Sequence, residues 1–109
     1  GDVYKRQIMQ YMQNHYHTSF TMQDLARKFN FHPVHMIRCM KNSYHVTPIQ
    51  ALTTIRLEKG KELLLTTAMS VQDISEAVGF SSCSYFIKQF KAAYHTTPSQ
   101  FRQEIQSHF

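Results

Sequence analysis

Comparing the chain with itself restricts the fold more than any single motif does, because one stretch occurs twice. Gln23-Asp24 returns as Gln72-Asp73 and Phe31 as Phe80, 49 residues later in each case. Further along the offset becomes 50. Lys41 answers Lys91, Tyr44-His45 answers Tyr94-His95, Thr47-Pro48 answers Thr97-Pro98, and Gln50 answers Gln100. Self-similarity at a fixed period marks one supersecondary unit used more than once. The step in offset places one extra residue in the turn of the second copy.

Each copy reads as a short helix, a tight turn and a longer helix. In the second copy, Ser70 is an N-cap with Asp73 three residues on, and Val71, Ile74 and Val78 recur at helical spacing. Gly79 stops that helix, since it takes a left-handed conformation without penalty. The run Ser81–Ser84 offers hydroxyls to start the next helix, with Phe86, Phe90 and Ala93 turned inward. The first copy repeats the plan. Thr21 and Asp24 open a helix whose apolar side is Met22, Leu25, Ala26 and Phe29, and Asn30 ends it. Pro33 suits the first turn of a helix running to about Ser43, with Met36, Cys39 and Met40 inward. Two short helices at a tight turn, the second with a mixed and basic outer face, describe a helix-turn-helix.

Between the copies, Pro48 starts a helix expected to run to about Thr66. Ile49, Leu52 and Leu63 form one apolar line and Leu57, Gly60 and Leu64 another, so each end can seat a small bundle. Gly60 costs about 1 kcal/mol of helix propensity, which points to close backbone packing. At 1.5 Å per residue such a helix spans ~28 Å, near the ~34 Å between major-groove faces one turn apart. A further helix is expected from about Val3 to His15, with Tyr4, Ile8 and Tyr11 on one face; residues 1–7 are given no role. The expected architecture is all-α with about seven helices: an N-terminal helix-turn-helix subdomain (1–46), a linker helix (47–67) and a C-terminal helix-turn-helix subdomain (68–109).

The chain has 109 residues and a net charge of +5, which favours a polyanionic partner, nucleic acid or an anionic membrane surface. Leu63–Leu65 is the longest purely aliphatic run, too short to span a bilayer. Cys39 and Cys83 lack disulfide-framework spacing, and no leader pattern precedes them; both suit a reducing cytoplasm. No Gly-rich phosphate loop, Ser-His-Asp set or paired carboxylates can be placed, so no enzyme activity and no cofactor are expected. His32, His35 and Cys39 fall at i, i+3 and i+7, but a structural zinc site needs four ligands, and no metal site is assigned.

The outward faces of the two longer helices carry the candidate site. On the first, Arg38 can pair with guanine O6 and N7 through two N–H groups, His35 can donate to an acceptor, and Val34 and Ile37 can meet thymine methyls. On the second, Cys83, Ser84 and Ile87 are small or apolar, and Lys88 alone projects a long charge. Lys41 and Lys91 sit one turn further along and suit phosphate contacts, as does Ser82 at the helix start. The first face is therefore expected to specify more and the second to position.

The second copy also resembles the AraC/XylS family of transcriptional regulators. The likeness lies in Ser70-Val71-x-Asp73-Ile74, Val78-Gly79-Phe80, Ser84-Tyr85-Phe86, Phe90-Lys91 and Thr97-Pro98-x-x-Phe101-Arg102. His95 stands where the family usually has Gly. From about Ile8 to Arg102, the order helix-turn-helix, linker helix, helix-turn-helix is similar to that family's DNA-binding domain. The resemblance implies base-reading positions at Val34, Ile37 and Arg38, and at Cys83, Ser84 and Lys88. It implies double-stranded DNA and RNA polymerase as partners, a bacterial cytoplasmic setting, and usually an activator. It further implies a separate N-terminal effector or dimerisation domain, of which this chain would be the C-terminal companion. The rival readings are a basic helical protein-interaction module without a DNA role, and a targeting arm for an enzyme segment.

Overall fold

The computed structural model describes residues 2–108, with the side chain of Asp2 left aside. Seven helices follow one another: α1 (Asp2–His15), α2 (Met22–Lys28), α3 (Pro33–Tyr44), α4 (Pro48–Thr66), α5 (Val71–Ala77), α6 (Cys83–Tyr94) and α7 (Pro98–Ser107). No strand occurs among the described residues. The chain divides into two compact units, Gly1–Ile55 and Arg56–Phe109, so the division falls inside α4.

Local chemistry sets the helix ends. Thr21 Oγ1 accepts the Asp24 N–H at 3.0 Å, and Asp24 Oδ2 accepts the Thr21 N–H at 3.0 Å, a reciprocal box at the start of α2. The Thr21 N–H bonded to it, then the neighbouring Thr21 hydroxyl and the Arg27 charge, hold the Asp24 carboxyl below its ordinary value. Ser70 Oγ caps α5 through the Asp73 N–H at 3.0 Å. The repeated Thr-Pro-x-Gln has the same purpose: Thr47 with Gln50, and Thr97 with Gln100, form reciprocal boxes that open α4 and α7. Asn30 at φ 60° and Gly79 at φ 98° make the two turns left-handed. Four residues separate α2 from α3 and five separate α5 from α6, which accounts for the step in repeat offset.

His45 and His95 end α3 and α6 at φ 63° and 64° and donate their N–H groups to Lys41 and Lys91 carbonyls. A histidine thus adopts in both copies the conformation a Gly takes most easily, at a cost of about 1 kcal/mol each.

Unit 1 closes on Ile8, Met12, Leu25, Ala26, Met36, Met40, Ala51, Leu52 and Ile55. Tyr4, within the stretch given no role, packs edge-on against Phe31 at 5.4 Å. Unit 2 buries Leu57, Leu64, Ile74, Val78, Phe80, Phe86 and Phe90. Three expectations change. Ile49 is 49% exposed, because the buried line in unit 1's half of α4 runs through Pro48, Ala51, Leu52 and Ile55. Ala93 is exposed, because Tyr94, with its ring 4.7 Å from Phe90, covers that end of the core instead. Cys39 is half-buried rather than inward, at the edge of a small cavity lined also by Lys5, Ile8, Phe31, Met36 and Met40.

Gly60 sits under the Phe86 ring. A Cβ there would meet Phe86 Cε1 at 2.9 Å and Cζ at 3.0 Å. Phe86 is fully buried between Phe80 and Phe90, at centroid distances of 5.1 and 5.8 Å, so the ring cannot swing aside. Gly60→Ala should therefore lower stability. The gain of about 1 kcal/mol in helix propensity is outweighed by an overpacking cost of about 1–3 kcal/mol. Urea denaturation checks this, with Phe86→Leu in the same chain restoring part of the loss. A Gly60→Ala chain as stable as its parent would show that the ring yields.

Candidate nucleic-acid interface

In each unit the second helix of the motif lays its apolar stripe on the core, which leaves the opposite face to solvent. On α3, Met36 and Met40 are buried, while His35, Arg38 and Lys41 are exposed, Val34 is 56% exposed and Ile37 37%. On α6, Phe86 and Phe90 are buried; Ser84, Lys88 and Lys91 are exposed, as is Ser82 just before the helix, whereas Cys83 and Ile87 are half-buried. The spacing i, i+3, i+4 keeps Val34, Ile37 and Arg38 on one side of α3, and Ser84, Ile87 and Lys88 on one side of α6.

Two expected site residues have intramolecular partners. His35 Nε2 lies 3.4 Å from Cys39 Sγ, with its ring 5.6 Å from Phe31, so the imidazole leans along its own helix. Ser82 Oγ accepts the Tyr85 N–H at 3.1 Å as the α6 N-cap, which leaves its O–H free to donate elsewhere. His32 Nδ1 accepts the Val34 N–H at 3.3 Å at the start of α3. Tyr85, 44% exposed at the front of α6 and 5.9 Å from Phe80, is an outward aromatic that the sequence reading used only as a motif letter.

The charges sort themselves by helix. On α4, Lys59 lies 3.9 Å from Glu62, and Lys61 lies 3.7 Å from Glu58. Lys61 also stands over the Tyr94 ring at 4.6 Å, and the Tyr94 hydroxyl donates to Glu58 at 3.2 Å. Burial first, and then the Glu58 charge, push the Tyr94 hydroxyl up to about 12. Arg102 is held by backbone carbonyls at and just beyond the end of α4. Among the described residues, Arg38, Lys41, Lys88 and Lys91 have no ion-pair partner. Four of the cations without acidic partners therefore lie on the outward faces of α3 and α6. Guanidinium and ammonium groups presented this way suit phosphate oxygens and the acceptor edge of guanine.

No helix among the described residues is long and apolar enough to cross a membrane. Residues 25–104 match the helix-turn-helix domain family. The Msm operon regulatory protein of Streptococcus mutans is 29% identical over 105 residues, which is 96% of this chain but 38% of the relative. The chain thus spans little more than a third of that protein's length. Among solved structures, the C-terminal domain of the response regulator AraT from Geobacillus stearothermophilus superposes with a TM-score of 0.88 at 35% identity, covering 93% of this chain and 84% of that one. The DNA-binding domain of AdpA, solved with a target DNA, shares the fold at a TM-score of 0.91 and 21% identity, covering 95% and 94%. The chain belongs to the AraC-type helix-turn-helix domain family, whose members are transcription regulators.

Proposed function

We propose that this chain binds duplex DNA sequence-specifically in the service of transcription regulation, with α3 and α6 entering successive major grooves of one duplex. The observation that carries this reading is the duplicated helix-turn-helix in which both second helices expose unpaired cations over a buried apolar stripe. In this reading Arg38, Val34, His35 and Ile37 contact base edges from α3. Ser84, Cys83, Ile87 and Lys88 do so from α6, while Lys41, Ser82 and Lys91 hold phosphates. The α3 face supplies most of the specificity, since Arg offers a planar two-pronged donor and Lys a point charge. No catalytic role is assigned to these residues. Because the chain spans 38% of its Msm relative, we read it as the DNA-binding part of a longer bacterial cytoplasmic regulator. An effector or dimerisation domain would lie elsewhere in the polypeptide, and RNA polymerase would be the protein partner.

Selection from randomised duplex DNA tests the reading, run in parallel on Arg38→Ala plus Lys88→Ala. The expected result is a bipartite consensus with unlike half-sites about one helical turn apart, lost in the double variant. Binding should weaken steeply with salt, as counterions are released from each neutralised phosphate. Binding without any consensus would reduce the chain to a non-specific basic protein. Absence of binding at low salt would favour the protein-interaction reading.

A further inference from the structure

The two units are unequally charged. Gly1–Ile55 holds six Lys and Arg against two Asp and Glu, and Arg56–Phe109 holds six against five. The difference concentrates at one place in the repeat. At the end of α2 stand Arg27 and Lys28; at the matching positions of α5 stand Glu76 and Ala77.

These side chains are not committed elsewhere in a way that would withhold them. The Arg27 side chain is 79% exposed, and its nearest carboxylate, Asp24, is 3.7 Å away, an exposed pair of little worth. Lys28 is exposed with its ammonium 5.0 Å from the Tyr11 ring centroid, a contact that leaves the remaining donors open. Glu76 is exposed and accepts a hydrogen bond from Gln72 Nε2 at 3.1 Å, one turn back on the α5 surface. In a helix-turn-helix the first helix crosses the sugar-phosphate backbone while the second enters the groove. The end of α2 is then a cationic surface for that backbone, and the end of α5 is its opposite.

We infer that α2 is a phosphate-binding element, with Arg27 and Lys28 gripping the duplex backbone, and that Glu76 withholds the same grip from the second unit. This rests on the duplex-binding reading above and extends it. The first unit anchors as well as reads, and most of the salt sensitivity of binding resides there.

The test measures duplex affinity across a salt series for the consensus duplex recovered by selection and for a scrambled duplex of equal length. Arg27→Gln is paired with Arg27→Gln plus Lys28→Gln, each checked by thermal denaturation. Expected is an equal loss of affinity for both duplexes, and a log–log salt slope shallower by about one for each cation removed. Glu76→Gln should strengthen binding to both duplexes. An unchanged slope in the double variant, or a changed consensus, would overturn the α2 assignment while leaving duplex binding standing; an inert Glu76→Gln would overturn its counterpart on α5. A parent chain that binds neither duplex at low salt would remove the underlying reading together with this one. Arg27→Gln changes only an exposed side chain, so its slope remains readable even if Lys28→Gln loosens the contact with Tyr11.

Discussion

Arg102→Ala should cost the second unit about 2–4 kcal/mol, a large share of what holds so small a unit together. The Arg102 guanidinium donates through Nε to the Leu64 carbonyl at 3.2 Å, through Nη1 to Met69 at 2.6 Å and through Nη2 to Thr67 at 3.3 Å. These carbonyls lie at and just beyond the end of α4, where the last turn leaves acceptors without helical partners and the helix dipole is negative. One planar side chain from α7 thus satisfies three acceptors and ties α7 to the segment that leads into α5. Removing it strands all three in a half-buried site. Arg102→Lys keeps the charge but offers a compact ammonium in place of the fork, so it should recover less than half of the loss. Urea denaturation of the two variants checks this. A midpoint unchanged in Arg102→Ala would mean that water replaces the guanidinium at no cost.

The roles of Arg102 also show where sequence reasoning stops. Elements governed by neighbours four residues away or fewer were legible: the caps at Thr21 and Ser70, the left-handed stops at Asn30 and Gly79, and the extent of α4. The Thr-Pro-x-Gln boxes obey the same short-range rule and could have been recognised from Gln50 and Gln100 alone. Contacts across thirty or more residues carry no such signal. Arg102 was visible as a family motif residue, but its three carbonyl partners were not, and neither was the pairing of Tyr94 with Glu58. Gly60 lies between these cases. Its cost to an otherwise regular helix announced a close approach, while the identity of Phe86 as the partner came only from the fold. The first unit reaches a comparable end differently. Ile8 and Met36 border one small cavity there, whereas the second unit sets Gly60 under Phe86. Two bundles with the same plan and the same histidine C-caps on α3 and α6 are packed with different large and small residues. The outward face of α3 was legible because burial of Met36 and Met40 leaves Val34, His35, Ile37, Arg38 and Lys41 little choice. On α6 the half-burial of Cys83 and Ile87 was not, since a short side chain beside a bulky aromatic core can lean either way.

Arg38→Ala is expected to weaken binding to the selected duplex by about 1–3 kcal/mol, roughly fivefold to 150-fold, and to relax preference at one base. Arg38 is exposed, one turn beyond Val34, and has no ion-pair partner among the described residues, so neither folding nor an internal salt bridge depends on it. Its loss should therefore leave the denaturation midpoint unchanged. Arg38→Lys separates the two ways a cation can serve. A guanidinium that reads guanine O6 and N7 with paired donors cannot be replaced by an ammonium, so Arg38→Lys should restore affinity for scrambled duplex without restoring the base preference. A guanidinium that only holds a phosphate would be replaced almost fully, with salt slope and preference both returning to those of the parent chain. Lys88→Ala offers the comparison on α6. It removes a point charge flanked by half-buried Cys83 and Ile87, and should lower affinity for all duplexes more evenly than Arg38→Ala does. A stronger loss of sequence preference in Lys88→Ala than in Arg38→Ala would reverse the division of labour between the two units and make α6 the principal reader.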